Sequence, residues 1–250
     1  MTDTPLLHFA ETDSTNALLK RMRPPHDMAV YADAQTAGRG QRGNSWHAMR
    51  GENLLMSVCR HPLDLHPLCQ FSISEATATG VCLLLESYGI DAKIKWPNDI
   101  YVGHDKICGI LIEHAVGAKV ESSIIGIGLN LNQTCFPPLP NPVSASLLTG
   151  ERYDIAGAAR SLLRILHPLL QLADTKEGRA QLHDGFMSRL YRGDGLYHKY
   201  RDTASGDIFL AVITDIRATG HLELRDESGS SRLYAFKEVE FILPDSDTAS

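Results

Sequence analysis

The stretch TAGRGQRGNSW, Thr36 to Trp46, spaces Gly38, Gly40 and Gly43 as G-x-G-x-x-G, and its flanks constrain the fold more than any other feature of the chain. A dinucleotide fingerprint closes a strand and opens a helix, because the pyrophosphate sits on the helix N-terminus. Upstream, MAVYADAQ reads as a strand, but NSWHAMRGENLLMSV downstream reads as a loop followed by a second strand, NLLMSVCR. The acidic residue that a ribose needs about 20 positions further on is at best Asp64, in a proline-flanked loop. The dinucleotide reading therefore fails. What remains is a glycine loop carrying Arg39 and Arg42. Its backbone can approach a ligand closely, and its guanidinium groups suit carboxylate or phosphate; a surface loop with solvated arginines is the plainer alternative.

Around this loop the chain punctuates itself clearly. Ser14 stands at a helix-cap position, with Ala17, Leu18 and Met22 at helical spacing, and the helix stops before Pro24-Pro25. Pro67 opens a long amphipathic helix through LCQFSISEATATGVCLLLESY that ends at Gly89. AKIKW, KICGILIEHAV and VESSIIGIGLNL read as strands, the first two separated by the turn-forming PNDIYVGHD. TCFPPLPNPV is a proline-rich surface loop, SASLLTG a short helix, and two further helices cover about Asp154–Leu172 and Glu177–Tyr191. From Gly193 short strands follow one another, DIFLAVITDI, HLELRD, SRLYAF and EVEFIL, a pattern that predicts a small barrel beyond a boundary near Arg192–Gly195. The polar tail PDSDTAS is expected to fray.

Composition narrows the partners. A formal net charge of −6 argues against the phosphate-backbone footprint of a nucleic-acid-binding protein. The N-terminal stretch has neither a basic nor an apolar region, so no signal peptide is expected, and no apolar run approaches the roughly 18 residues of a membrane span, so no membrane partner is expected. The five cysteines are odd in number and lie among apolar neighbours, which fits reduced thiols in a cytoplasmic protein. CRHPLDLHPLC places Cys59, His61, His66 and Cys69 close together, but the spacing is not that of a zinc finger and prolines interrupt it, so chance composition is the favoured reading.

Three further stretches carry chemistry. In KWPNDIYV, Lys95 to Val102, a lysine and an aspartate flank a turn, which suits an anion and a magnesium ion close together. In DKICGILIE, Lys106 opens an apolar strand and so sits at the edge of the core. In IGIGLNLN, Gly126 and Gly128 lie inside a strand, where glycine marks a bulge or the close approach of a ligand. Each alone has a plainer reading: an ordinary turn, a solvated lysine, a bulge. Their order is more specific. DSTN, QTAGRGQRGNSW, KWPNDIY, DKICGILIE and IGIGLNLN together resemble the biotin protein ligases, the biotin–acetyl-CoA-carboxylase ligases. The resemblance runs from about Thr12 to Leu243, since LYAFKEVEFIL is similar to that family's C-terminal barrel.

The resemblance implies an α/β (α+β) fold: a mixed, largely antiparallel sheet backed by helices over residues 1–191, and a small β-barrel over 192–245. It implies two steps, the joining of biotin to ATP as biotinyl-5′-AMP with release of pyrophosphate, and transfer of biotin to a lysine of a carboxylase's biotin carboxyl carrier domain. By the same resemblance Lys106 meets the biotin carboxylate and the α-phosphate, and Arg39 and Arg42 lie in the loop that closes over the adenylate. Ser14, Thr15, Asn16 and Gln35 take biotin's ureido head, with Gly40, Gln41 and Gly109 also at biotin. Arg42, Trp46, Asn98 and Asn130 face the nucleotide, and Asp99 holds magnesium. Trp46 and Trp96 pack against adenine or biotin, or are plain core; Gly128 joins Asn130 in the wall of the site.

Two departures stand out. Gln41 and Asn44 replace arginines that some members carry in this loop, so less charge closes over the adenylate. Ser14 follows so soon after Met1 that no helix-turn-helix domain is expected, and hence an enzyme without a repressor function. A lipoate ligase or octanoyltransferase and a non-catalytic biotin-binding protein are the competing readings, and a homodimer is compatible with all of them.

Overall fold

The structure, a computed structural model, describes residues 4–136 and 141–242, without the side chain of Arg42. The centre of proline-rich TCFPPLPNPV and the C-terminal tail from Leu243 lie outside the described residues. One sheet comprises β1 (Leu6–Phe9), β2 (Met28–Ala32), β3 (Leu54–Arg60), β4 (Lys93–Lys95), β5 (Asp99–Val102), β6 (Asp105–Val116) and β7 (Val120–Leu129). These seven strands lie in the order β1-β2-β3-β7-β6-β5-β4. Only β1 and β2 are parallel; every other neighbouring pair is antiparallel. The mixed, largely antiparallel sheet of the sequence reading is thus the observed one.

Helices α1 (Thr15–Met22), α2 (Phe71–Glu86), α3 (Ala145–Thr149), α4 (Ile155–Leu172) and α5 (Lys176–Met187) complete this layer. The seven residues of β3 are all buried because both faces of the strand are covered. Leu54, Met56 and Val58 join the core beneath α2 and α4, while Cys59 packs with Leu19 of α1 on the other side. α4 begins at Asp154, whose carboxylate accepts from Ala156 N and Gly157 N, and its Ala158, Ala159, Leu162, Leu166 and Leu170 form one apolar stripe toward α2.

α2 departs from the amphipathic helix that was expected. It is wedged between α4, α5 and the sheet and is buried nearly all round. Pro67–Glu86 is long and apolar enough to cross a membrane by length and composition alone, with a mean hydropathy of 1.4, but 72% of that window is buried inside the protein, as in a core helix. A core helix surrounded by other elements has no polar face to display.

The second sheet contains β8 (His198–Asp202), β9 (Ile208–Ile216), β10 (Leu222–Asp226), β11 (Ser231–Tyr234) and β12 (Val239–Phe241). It is open, in the order β11-β10-β9-β8-β12, and not the closed barrel expected from its spacing. β8 has no signal in the sequence because HKYRD contains no apolar run, and Asp99–Val102 is a strand where the sequence predicts a turn. The two sheets meet at Trp96, whose indole Nε1 donates to Gly220 O at 2.9 Å and whose ring meets Phe236 edge-on.

Candidate active site

A cleft of about 1160 Å³ opens on the face of the large sheet that α1 only partly covers. Its floor is one cross-strand row: Leu55 pairs with Gly128, Gly128 with Gly109, Gly109 with Asp99, and Asp99 with Lys95. Residues in register share a face, so two glycines lie in the middle of the floor and an ion-pairing group at its end. Trp46 lies flat on them: a Cβ at Gly128 would come within 2.7 Å of its Nε1, and one at Gly109 within 2.9 Å of its Cζ3. The indole Nε1 is buried there and has no hydrogen-bond partner among the described residues.

The acidic-basic end depends on a bulge. Ile100 pairs with Cys108 but Tyr101 with Lys106, so Ile107 is the extra residue on β6. Without it, Lys106 would share the parity of the buried Cys108 and Ile110 and point into the core. With it, Lys106 joins Gly109 on the cleft side, its Nζ 2.7 Å from Asp99 Oδ1 and 5.7 Å from the centre of the Trp46 ring. The contact is an ion pair by distance and charge without hydrogen-bond geometry, and Asp99 Oδ1 is buried without a hydrogen bond. Lys95 stands beside it. Its ammonium donates to Tyr101 Oη at 3.1 Å, and burial pushes its pKa below the usual lysine value, against the pull of Asp99. Asn98 is pinned to β6, donating from Nδ2 to Ile110 O at 2.7 Å.

At the other end, α1 presents a polar frame. Ser14 occupies the cap position of α1, but its hydroxyl makes no capping bond. Gln35 Oε1 accepts from Thr15 N at 2.8 Å and Thr15 Oγ1 at 3.1 Å. Asn16 donates from Nδ2 to Leu111 O and to Glu113 Oε2, while its Oδ1 accepts from Ser57 Oγ at 2.6 Å. A Cβ at Gly126 would strike this amide, 3.0 Å from its Cγ, so Asn16 lies directly on the strand. Burial pushes the Glu113 carboxyl up, but hydrogen bonds from Lys20 and Asn16 outweigh it and hold the pKa below the ordinary value.

The glycine loop arches over the middle. Trp46 N donates to Gly38 O and Gly40 N to Asn44 O, which folds residues 38–46 back on themselves around a 3-10 turn at Gln41–Gly43. Arg39 is exposed at the mouth, Gly40 and Gln41 line it, and the side chain of Arg42 lies outside the described residues. Asn130 closes the end of β7, donating from Nδ2 to Val143 O. The residues expected at the site from the sequence thus line one cleft, Arg42 apart: Ser14, Thr15, Asn16, Gln35, Arg39, Gly40, Gln41, Trp46, Asn98, Asp99, Lys106, Gly109 and Asn130. Trp96 is 4% exposed and serves both the core and the cleft wall.

Some residues of the cleft carry little local signal. Ser57 has one, a serine inside the apolar run LLMSVC. Lys95 stands out in the sequence only as one flank of a turn. Phe236, Lys237 and Glu240 reach the cleft from the second sheet, and no local pattern marks them. Cys59, His61, His66 and Cys69 do not converge: Cys59 is in the core, His66 Nδ1 accepts from Leu68 N, and no group of three metal-ligating side chains occurs among the described residues.

Comparison with known proteins agrees with this arrangement. Residues 8–130 match the biotin/lipoate A/B protein ligase family. Over 161 residues, 62% of this chain, the sequence is 38% identical to the bifunctional ligase/repressor BirA of Bacillus subtilis, of which the match covers 49%. It is 31% identical over 170 residues to the biotin–[acetyl-CoA-carboxylase] ligase of Mycobacterium tuberculosis, covering 65% of this chain and 60% of the relative. The chain thus spans about half the length of the curated relatives it matches. A biotin protein ligase from Aquifex aeolicus in complex with biotin and ATP superposes with a TM-score of 0.77 at 24% identity, covering 94% of this chain and 97% of that one, which establishes the fold. Residues 8–130 thus carry the biotin/lipoate A/B protein ligase domain, and the chain is similar to biotin protein ligases in sequence and fold.

Proposed function

We propose that this protein is an ATP-dependent biotin protein ligase. The observation that carries the proposal is the sequence of environments along one cleft: a hydrogen-bonding frame, an apolar glycine and tryptophan floor, and a cationic end holding Lys106 and Lys95. Biotin has the same order, a ureido head, an apolar bicycle and chain, and a carboxylate. A dithiolane or a plain acyl chain would leave the frame of buried Ser14 and Thr15 and half-buried Gln35 unmatched, which costs about 1–3 kcal/mol for each orphaned buried group.

In the first step a carboxylate oxygen of biotin attacks the α-phosphorus of ATP, the bond to the β-phosphate oxygen breaks, and pyrophosphate leaves. Two anions must meet, so the ammonium of Lys106 binds the carboxylate and the α-phosphate, and Arg39 and Arg42 close over the product. Trp46, Asn98 and Asn130 form the wall for the nucleotide. Magnesium bound there would neutralise charge on the phosphates of ATP. Asp99 would be its single protein ligand, since magnesium takes one or two carboxylates beside phosphate and water, and its Oδ1, held 2.7 Å from the Lys106 ammonium without a hydrogen bond, would exchange that ion pair for the metal. In the second step an amine of a biotin carboxyl carrier domain attacks the acyl carbon of biotinyl-5′-AMP, AMP leaves, and the amine gives up its proton. No enzyme nucleophile is needed, so the cysteines take no part.

Exchange of labelled pyrophosphate into ATP tests this, with biotin, lipoate or octanoate present. Biotin alone should support exchange, and Lys106→Ala in folded protein should lower it about 10²–10³-fold, as loss of one preorganised charge contact does. Exchange with lipoate or octanoate only would move the protein to the other branch of its family. Tight biotin binding without exchange would make it a binding protein.

A further inference from the structure

The polar frame holds more hydroxyl and amide groups than one ligand head can meet, and counting protons divides them. Ser57 is fully buried in the middle of β3 and does not line the cleft. Its Oγ lies 2.6 Å from Asn16 Oδ1 and 2.7 Å from Thr15 Oγ1, yet it has one proton to give. Both N–H bonds of Asn16 are committed, to Leu111 O at 3.2 Å and Glu113 Oε2 at 3.1 Å. Asn16 is itself buried, and Ser57 is the donor its Oδ1 has among the described residues, so the proton of Ser57 goes to Asn16.

The rest follows from that assignment. The 2.7 Å contact between Ser57 Oγ and Thr15 Oγ1 then requires the proton of Thr15, so Thr15 donates to Ser57 Oγ and a lone pair of Thr15 Oγ1 is left for the cleft. Gln35 Oε1 already accepts from Thr15 N, which leaves Nε2 as the end of that amide for a ligand. The frame therefore has a fixed polarity, an acceptor at Thr15 next to a donor at Gln35.

We propose that Ser57 and Asn16 are positioning residues that set this polarity, and that Asn16 does not itself bind biotin. The ligand head they select is a cyclic urea or amide, with an N–H beside a carbonyl. This rests on the reading of the cleft as a biotin site and adds the residues that make the frame specific.

A double-mutant cycle tests it, with Ser57→Ala, Thr15→Val and the pair, reading kcat and the KM values for biotin and ATP by pyrophosphate exchange. Ser57→Ala should raise the biotin KM roughly ten-fold, the equivalent of about 1.4 kcal/mol, while kcat and the ATP KM stay close to wild type. In the Thr15→Val background the same change should add less than about two-fold, because the group that Ser57 orients is gone. Ser57→Cys, which keeps the shape and weakens the donor, gives the same comparison if the alanine variant does not fold. A biotin KM unchanged in folded Ser57→Ala, or equal effects in both backgrounds, overturns the inference. Failure of the wild type to exchange with biotin overturns the functional reading instead, before any variant is made.

Discussion

Replacing Gly128 with alanine separates the floor of the cleft from the stability of the fold. Gly128 lies in regular β7 outside the left-handed region, so the backbone accepts a methyl group, and alanine in a strand interior is favoured over glycine by about 0.5–1 kcal/mol. The space above it is taken: a Cβ would fall 2.7 Å from Trp46 Nε1 and 2.8 Å from Cζ2. Ordinary carbon contacts begin near 3.5 Å, so the indole must retreat by about 1 Å or tilt off the floor. Displacing a packed ring by that much costs about 1–3 kcal/mol, or roughly 5- to 150-fold in affinity for a ligand that shares its surface. Trp46 hangs on a loop at the mouth of the cleft, so the loss should appear in biotin affinity and leave the thermal midpoint near that of wild type. Calorimetric titration of biotin beside a thermal melt measures both. A folded Gly128→Ala protein that binds biotin as tightly as wild type would falsify the role given to the floor, and a collapse of the melting temperature would show that the glycine serves packing instead.

Three further outcomes follow from the structure. His183 sits between Glu75 of α2, at 2.8 Å, and Asp215 of β9, at 3.1 Å, and the hydrogen bond to Glu75 raises its pKa despite partial burial. The folded protein thus holds this proton more tightly, so the contribution is full below pH 6.5 and is lost as pH rises through the raised pKa. Thermal melts across that window should lose stability with rising pH in wild type and less so in His183→Gln; parallel curves would refute the assignment. Cys135 is exposed and Cys69 half-buried, whereas burial pushes Cys59 up to about 11, Cys82 up to about 12, and Cys108 upward as well. A thiol reagent at neutral pH should therefore modify Cys135 first and Cys69 next, and reach the other three only in denaturant; early labelling of any of those three counts against the packing. Trp96→Phe removes the donor to Gly220 O between the two sheets and should destabilise the protein by about 1 kcal/mol in urea unfolding; an unchanged midpoint would mean the sheets do not depend on that bond.

The sequence by itself determined the elements whose burial is written locally. β3, β6 and β7 are apolar runs, α4 has an aspartate cap and an apolar stripe, and the glycine loop could not start a helix because a strand follows it. It also marked many of the side chains that line the cleft, since the ordered motifs name them, Phe236, Lys237 and Glu240 apart. Tertiary structure decided how they face one another. Whether Lys106 points to the core or the cleft depends on a bulge at Ile107, and a bulge is a matter of pairing between β5 and β6 that neither strand encodes alone. Ser14 reads as a helix cap, yet its hydroxyl does not cap; Asn16 reads as a ligand contact, yet its polar groups are all engaged in the protein. β5 and β8 are short or polar and become strands only because longer neighbours offer them hydrogen bonds. The row Leu55, Gly128, Gly109, Asp99 and Lys95 comes from five strands, and its β3–β7 pairing joins segments far apart in the chain. Local patterns report which residues are buried, but register across a sheet is set by partners distant in sequence, and here the chemistry of the cleft lies in that register.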